Sequence, residues 1–344
     1  MSHSTVPRSR AEADMTEKTP VAPGGATGSP EKRPSGKLSL RLRFRRDRVL
    51  LLMTLPAVVL VLVFNYLPIL GNVVAFQDYD PYISDNGIVS MLNSPFVGME
   101  NFQRIFEDSA FWNALQNTLV LFSLQLMLFF PIPILLALLI NSVVRPRVRA
   151  VAQAVLYLPH FFSWVLVIAV FQQIFGGAGI LSQLLRQHDY NGINIMTDPN
   201  TFPLLITAQS VWKDAGWGII VFLAALASVS PDLYEAAAMD GAGRWRRMWH
   251  VTLPALRPVI ALLLVLRVGD ALTVGFEQIL LQRDAVGPGA AEVLDTFVWW
   301  NGVRNQDFGY AAAAGLIKGV ISIGLVLAAN KVAHLMGEQG VYKK

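Results

Sequence analysis

Between Glu235 and Pro254 the chain reads EAAAMDGAGRWRRMWHVTLP, and the character of the sequence changes three times along that stretch. Pro231 and Asp232 just before it make a helix start, because proline fits an early helical position and Asp favours the positive end. Glu235 to Met239 are strong helix formers, and the small alanine face lets another surface come close. Asp240-Gly241 ends this helix, since glycine takes the left-handed backbone of a sharp stop. Arg244 to Trp249 then predict a basic, aromatic helix suited to a membrane interface. Leu253-Pro254 is expected to stop that second helix before the next apolar run. On composition alone this is an interfacial helix-turn-helix between two membrane spans.

The surroundings agree. The 344 residues are 53% hydrophobic and 15% charged, with a mean hydropathy of +0.45. Six apolar runs reach the ~20 residues that cross a bilayer as helix, at about 49–70, 118–140, 150–175, 205–229, 258–281 and 311–335. They lack the strict alternation of barrel strands, so the expected class is an all-α integral membrane protein of six helices. Basic residues cluster before the first span (Arg41, Arg43, Arg45, Arg46, Arg48), before the third (Arg145, Arg147, Arg149) and before the fifth (Arg244, Arg246, Arg247, Arg257). By the positive-inside rule both termini and the 231–257 loop face the cytoplasm. The charge therefore follows topology and does not suggest a nucleic-acid partner; lipid is the bulk partner. Residues 1–36, rich in Pro, Gly and Ser, predict a disordered arm, and 37–48 a basic juxtamembrane segment. The arm is too polar and long for a cleaved leader, so the first span is expected to stay as an anchor.

In the loop, Glu235-Ala236-Ala237, then three residues, Gly241, nine residues, and Val251-x-Leu253-Pro254 resemble the EAA loop of ABC importer permeases. That pattern is EAA-x3-G-x9-I-x-LP, departed from only by Val251. The resemblance implies a maltose-permease-like six-helix domain over 49–344. It implies that Glu235, Ala236, Ala237, Asp240, Gly241, Leu253 and Pro254 form the contact with an ATPase. The implied partners are an ATPase dimer holding ATP and magnesium, a second permease subunit and an external solute-binding protein, in a bacterial cytoplasmic membrane. Two further strings are similar to carbohydrate permeases. Phe96-Val97-Gly98-Met99-Glu100-Asn101-Phe102 lies in the first outer loop, before a helix expected to run through Phe106 and Trp112. Tyr157-Leu158-Pro159-His160-Phe161-Phe162-Ser163-Trp164 is similar to an oligosaccharide subgroup, which implies an oligosaccharide cargo.

Pro159 should kink the third span and free backbone carbonyls. His160 and Trp164 beside it are pathway candidates, although a histidine so placed is more often a packing residue. Arg267, nine residues past Pro258, lies ~13 Å along the expected fifth helix. Arg267, Asp270 and Glu277 then share one face of that helix, and Arg267 and Asp270 are spaced to pair. An internal salt bridge and a direct pathway role are equal readings of this stripe. Lys213-Asp214, flanked by Trp212 and Trp217, interrupt the fourth span, and Lys318 the sixth. The two tryptophans suit sugar stacking or an interfacial belt.

The chain has no cysteine, and its five histidines have no ligand spacing, so neither thiolate chemistry nor a metal site is indicated. No phosphate-cradling G-x4-G-K-[ST], Ser elbow or HExxH occurs; an enzyme is not expected, and ATP belongs to another chain. One rival is a proton-coupled transporter using Asp270 and Glu277, which leaves the EAA spacing unexplained. Others are a non-transporting scaffold and an ABC permease for a non-sugar solute.

Overall fold

The computed structural model describes residues 48–335. The expected arm over 1–36, nearly all of 37–48 and the C-terminal lysines lie outside those residues. Among the described residues the secondary structure is helical apart from one isolated bridge between Gln77 and Phe96. Six segments are long and apolar enough to span a membrane: Arg48–Phe76, Ser109–Ser142, Trp164–Gln187, Phe202–Ala227, Arg244–Gly269 and Phe308–Leu335. Fold class and span count therefore agree with the sequence reading, while several boundaries do not. The chain divides into two compact units at Leu62/Val63. In the first, no side chain of the helix Arg48–Val61 is buried.

Prolines explain much of the departure from plain α-helix. Three of the four π-helical turns among the described residues, Leu62–Tyr66, Gln125–Phe129 and Met248–Thr252, each end two residues before a proline, Pro68, Pro131 and Pro254. A helical proline has no N–H for the carbonyl four residues back and crowds it. That carbonyl belongs to Phe64, Met127 or His250, in each case the middle residue of the wide turn. The wider winding replaces the lost bonds with longer-range ones, such as Phe130 N–H to Gln125 O at 3.0 Å. Leu253-Pro254 thus does not stop the basic helix as expected: helix runs on from Arg244 to Gly269, widened at 248–252.

The third span is displaced. It was expected at 150–175, but helix Pro146–Tyr157 tightens to a 3₁₀ turn over Leu158–Phe161 and then breaks. Ser163 caps a new helix, Trp164–Phe175, by accepting from Leu166 N–H. The expected kink at Pro159 is in fact a full break. The helix through Phe106 and Trp112 is also divided, because Asp108 takes an extended backbone and caps Ser109–Leu124 through Ala110 N–H at 2.8 Å.

The fourth helix, Phe202–Ala227, is the hub. It packs along the second span through Ala137, Ile140, Ile219 and Phe222, with Leu256 of the fifth closing the cluster. The crossing needs small residues. A Cβ on Gly216 would lie 1.9 Å from Leu156 O, and one on Gly218 would lie 2.9 Å from the Pro133 ring. The FVGMENF segment clamps the outer loop to the sixth helix. Buried Asn101 donates to Ala75 O (3.1 Å) and Gln77 O (3.0 Å), and Gly309 sits where a Cβ would fall 2.4 Å from Gln77 O.

Candidate functional site

The loop of the opening stretch is a solvent-facing helical corner. Ser230 accepts from Asp232 N–H at 3.3 Å, starting helix Pro231–Met239 with Pro231 first. It ends on Gly241 at φ +72°, with Gly241 N–H to Ala238 O at 3.0 Å and Ala242 N–H to Ala237 O at 2.9 Å. These two bonds make a Schellman stop. Glu235, Ala236, Asp240 and Gly241 are exposed and Ala237 is half-buried. Met239 at the corner is 88% exposed. Tyr234 Oη lies 3.1 Å from Thr252 Oγ1, bracing the short helix against the wide turn that precedes Leu253-Pro254.

A second site forms where the 3₁₀ turn Leu158–Phe161, the start of helix Trp164–Phe175 and the fourth helix meet. The 3₁₀ turn brings His160 against the middle of the fourth helix, where His160 Nδ1 lies 2.9 Å from Asp214 Oδ1. The His160 ring stacks on Trp217, with centroids 4.7 Å apart and planes 11° from parallel. Lys213 donates to His160 O at 2.7 Å, lies 3.6 Å from Asp214 Oδ1, and sits 5.4 Å from the Trp164 ring centroid. The carbonyl freed by the break is therefore taken by a lysine, and that lysine's charge by an aspartate. Trp217 remains 53% exposed. Trp212 stands apart, packed among Phe162 and Phe171 at 6.3 and 5.8 Å. It remains 39% exposed.

The expected charged stripe does not exist as one helical face. The fifth helix ends at Gly269, short of the expected 281. From Pro258 this is a rise of ~16 Å, about half of the ~30 Å hydrocarbon layer. Asp270 follows in a turn closed by Thr273 N–H to Asp270 O at 2.8 Å. Gly275, at φ +59°, then admits the short helix Phe276–Leu280 that carries Glu277. Two glycines and a turn-forming Asp within seven residues outweigh the apolar periodicity. The irregular backbone is tolerated because it lies in protein, with Ala271, Leu272 and Val274 buried. Arg267 and Asp270 form no ion pair. Arg267 instead donates through Nη2 to Gln125 Oε1, with its guanidinium 5.6 Å from the Phe129 ring centroid. Asp270 and Glu277 are exposed.

Sequence reasoning missed the residues that hold the segment after this break. Gln278 donates to Gln209 Oε1 at 2.7 Å, and Gln282 does so at 3.0 Å, all three buried. Arg283 is buried against Glu292 at 2.8 Å and lies 3.8 Å from the Trp300 ring centroid. Lys318 pairs with Asp295. A glutamine every fourth position in an otherwise apolar run was the available signal for the first network; nothing in sequence spacing signals the Arg283–Glu292 pair.

Comparison with known proteins bears on both sites. Residues 129–335 match the family described as "Binding-protein-dependent transport system inner membrane component". The chain is 41% identical over 304 residues to the polygalacturonan/rhamnogalacturonan transport system permease protein YteP of Bacillus subtilis, covering 88% of this chain and 93% of that one. It is 39% identical to the protein LplB of the same organism over 306 residues, 89% and 94% of the two chains. Among solved structures it resembles a chain of a bacterial alginate ABC transporter, crystallised with an alginate pentasaccharide-bound periplasmic protein. The TM-score is 0.79 at 34% identity, covering 88% of this chain and 99% of that chain. With its six apolar helices and a family match that takes in the exposed corner and the polar cluster, this chain belongs to the binding-protein-dependent transport system inner membrane components, as a multi-pass inner-membrane protein.

Proposed function

We propose that this chain is the permease subunit of an ATP-driven ABC importer that carries a carbohydrate, an oligosaccharide in particular, delivered by an extracytoplasmic binding protein. Its partners are a second permease subunit and a dimer of ATPase subunits that hold ATP and magnesium. The observation that carries this reading is the exposed, rigidly capped corner at Pro231–Gly241, a projecting helix with an uncovered Met239 at its tip. Closure of the ATPase pair on ATP pushes this helix, and the spans rock to alternate access. Both termini are cytoplasmic in this arrangement, on the side of the corner and its arginines. Sugar passes along the half-exposed face holding His160, Trp164, Trp217 and Arg267, where rings offer stacking and a break in the third span offers polar groups. Asp270 and Glu277 lie on separate elements, which removes the shared relay face of a proton-coupled mechanism.

The test is reconstitution in vesicles with the co-purified ATPase and second permease. Glu235→Lys should leave the fold intact, and Gly241→Pro, which removes the left-handed helix stop and its N–H bond to Ala238 O, should disrupt the corner itself; both should abolish ATP-driven uptake while ATP hydrolysis persists. Unchanged uptake in both variants, or recovery of the chain with no ATPase after crosslinking, would overturn the reading.

A further inference from the structure

We propose that the loop between Gln77 and Met99 is seated in the lipid bilayer, its outward face resting among the lipid tails at the surface, with Ile88, Leu92 and Phe96 as anchors. The inference concerns the lipid around the chain and stands apart from what the chain carries.

The loop is built inside out. Between Gln77 and Met99 the buried side chains are Gln77, Ser90 and Ser94, all polar. Ser90 Oγ shares its proton between Pro81 O (3.2 Å) and Ser84 O (3.1 Å) and accepts from Ser84 N–H at 3.1 Å. Ser94 Oγ donates to Ser90 O at 2.8 Å, and Gln77 Nε2 to Met91 O at 2.8 Å. The large apolar side chains face the other way: Ile88 is 65%, Leu92 74% and Phe96 75% exposed. Asn86 caps helix Gly87–Asn93 through Ile88 N–H, and Ile88 and Leu92, four residues apart, share one face of it. A loop bathed in water buries its apolar side chains and leaves its serines outside. The reverse arrangement is stable where the outer face meets an apolar phase.

Two observations identify that phase as lipid. The first is continuity with the first span, which ends at Phe76 with Ile69, Leu70 and Val73 exposed on it. Val97 N–H and Gly98 N–H both donate to Phe76 O, at 2.9 and 3.1 Å, and the Phe76 and Phe96 rings stack with centroids 6.4 Å apart. Phe96 is thereby pinned to the end of a membrane span, the level at which amphipathic and aromatic anchors settle. The second is charge. The loop carries Asp78, Asp80 and Asp85 but no Lys or Arg, and no residue from 86 to 99 is charged. The seat is therefore apolar and calls for lipid tails with no particular headgroup charge. Asn101, which donates to Gln77 O, and Gly309, which packs against it, carry this seat to the sixth helix and hold the end of that helix at a fixed depth.

The test uses the full-length chain with its co-purified subunits in phosphatidylcholine vesicles. The chain has no cysteine, so one introduced cysteine carries a nitroxide, and the unaltered complex treated alike gives the background. Ile88→Cys, Leu92→Cys and, as the aqueous control, Asp85→Cys replace exposed side chains and leave the packing undisturbed. Collision with oxygen, which concentrates in lipid, is compared with collision with a nickel chelate, which stays in water. The oxygen-to-nickel ratio at 88 and 92 should exceed that at 85 by about fivefold, with or without added phosphatidylglycerol. Equal ratios at the three sites overturn the inference in favour of water. Labels shielded from both reagents overturn it in favour of a protein cover, and a ratio raised only by phosphatidylglycerol rules out the apolar seat. A label at Phe96→Cys should lose most of its own ratio when Ile88→Asn and Leu92→Asn are added; an undiminished ratio there refutes the two as anchors.

Discussion

Replacing Gly216 by alanine tests the helix crossing on which the polar cluster depends. A Cβ there would lie 1.9 Å from Leu156 O and 2.6 Å from Leu156 C. Ordinary carbon–oxygen contact is ~3.2 Å, so the fourth helix must retreat from the third-span backbone by about 1.3 Å, and the obstacle is main chain rather than a side-chain tip that can swing away. Overpacking of this kind costs ~1–3 kcal/mol. Lys213 is three residues back on the same helix, and its 2.7 Å bond to His160 O cannot survive a shift of that size. A hydrogen bond from a charged donor adds ~1.5–3 kcal/mol, for a total of roughly 2.5–6 kcal/mol. The control is Gly315→Ala, in a helix where nothing stands within 4 Å of the new methyl; there alanine should be neutral or slightly stabilising. Reversible unfolding of the purified protein in mixed micelles gives both free energies. A Gly216→Ala variant within about 0.5 kcal/mol of Gly315→Ala, near the noise of surface substitutions, would refute the close crossing and the coupling of Gly216 to Lys213.

Three further outcomes are expected. Gly241→Ala places a methyl on a backbone with φ +72° and should cost ~1 kcal/mol of local helix-stop stability; uptake per ATP hydrolysed should fall with no change in global unfolding. Glu292→Gln or Arg283→Met each strands a buried charge and should cost ~3–5 kcal/mol. The double variant should recover much of that loss, read by the same unfolding assay as a double-mutant cycle. Asn101→Ala removes both donors to Ala75 O and Gln77 O, with ~2 kcal/mol lost and faster proteolysis of the 77–107 loop as the visible sign.

What was legible in sequence was what depends on composition and on local backbone preference. Apolar length announced six helices, and Gly241 announced the stop that Ala242 N–H and Ala237 O complete. Pro159 was seen as a disruption, though as a kink and not as the 3₁₀ turn and break that carry His160 to Asp214. Prediction failed where two local signals competed. Periodicity carried the fifth helix through Gly269 to 281, whereas Asp270, Thr273 and Gly275 turn it aside. Pro254 looked like a terminator because the wide turn that accommodates it has no sequence signature of its own beyond the proline. Pairings between distant segments, such as Arg267 with Gln125 or Arg283 with Glu292, depend on which faces meet across the bundle, and spacing along the chain does not encode that. Of the expected pathway residues, His160, Trp164 and Trp217 come together with Lys213 and Asp214, Trp212 packs beside Phe162 and Phe171, and Glu277 lies on a separate short helix.

The run from Arg244 to Gly269 has one further consequence. It is continuous helix of 26 residues, so it measures ~39 Å from end to end. One end adjoins the exposed corner, and the other carries Arg267. A rod of that length pivoting near its foot by ~5° moves its tip by about 3 Å, as far as one hydrogen bond is long. A push too small to disturb packing at the corner is therefore large enough at the far end to part Arg267 from Gln125. In the proposed transport cycle the single helix is a lever, with the wide turn over Met248–Thr252, at its foot, as its pivot.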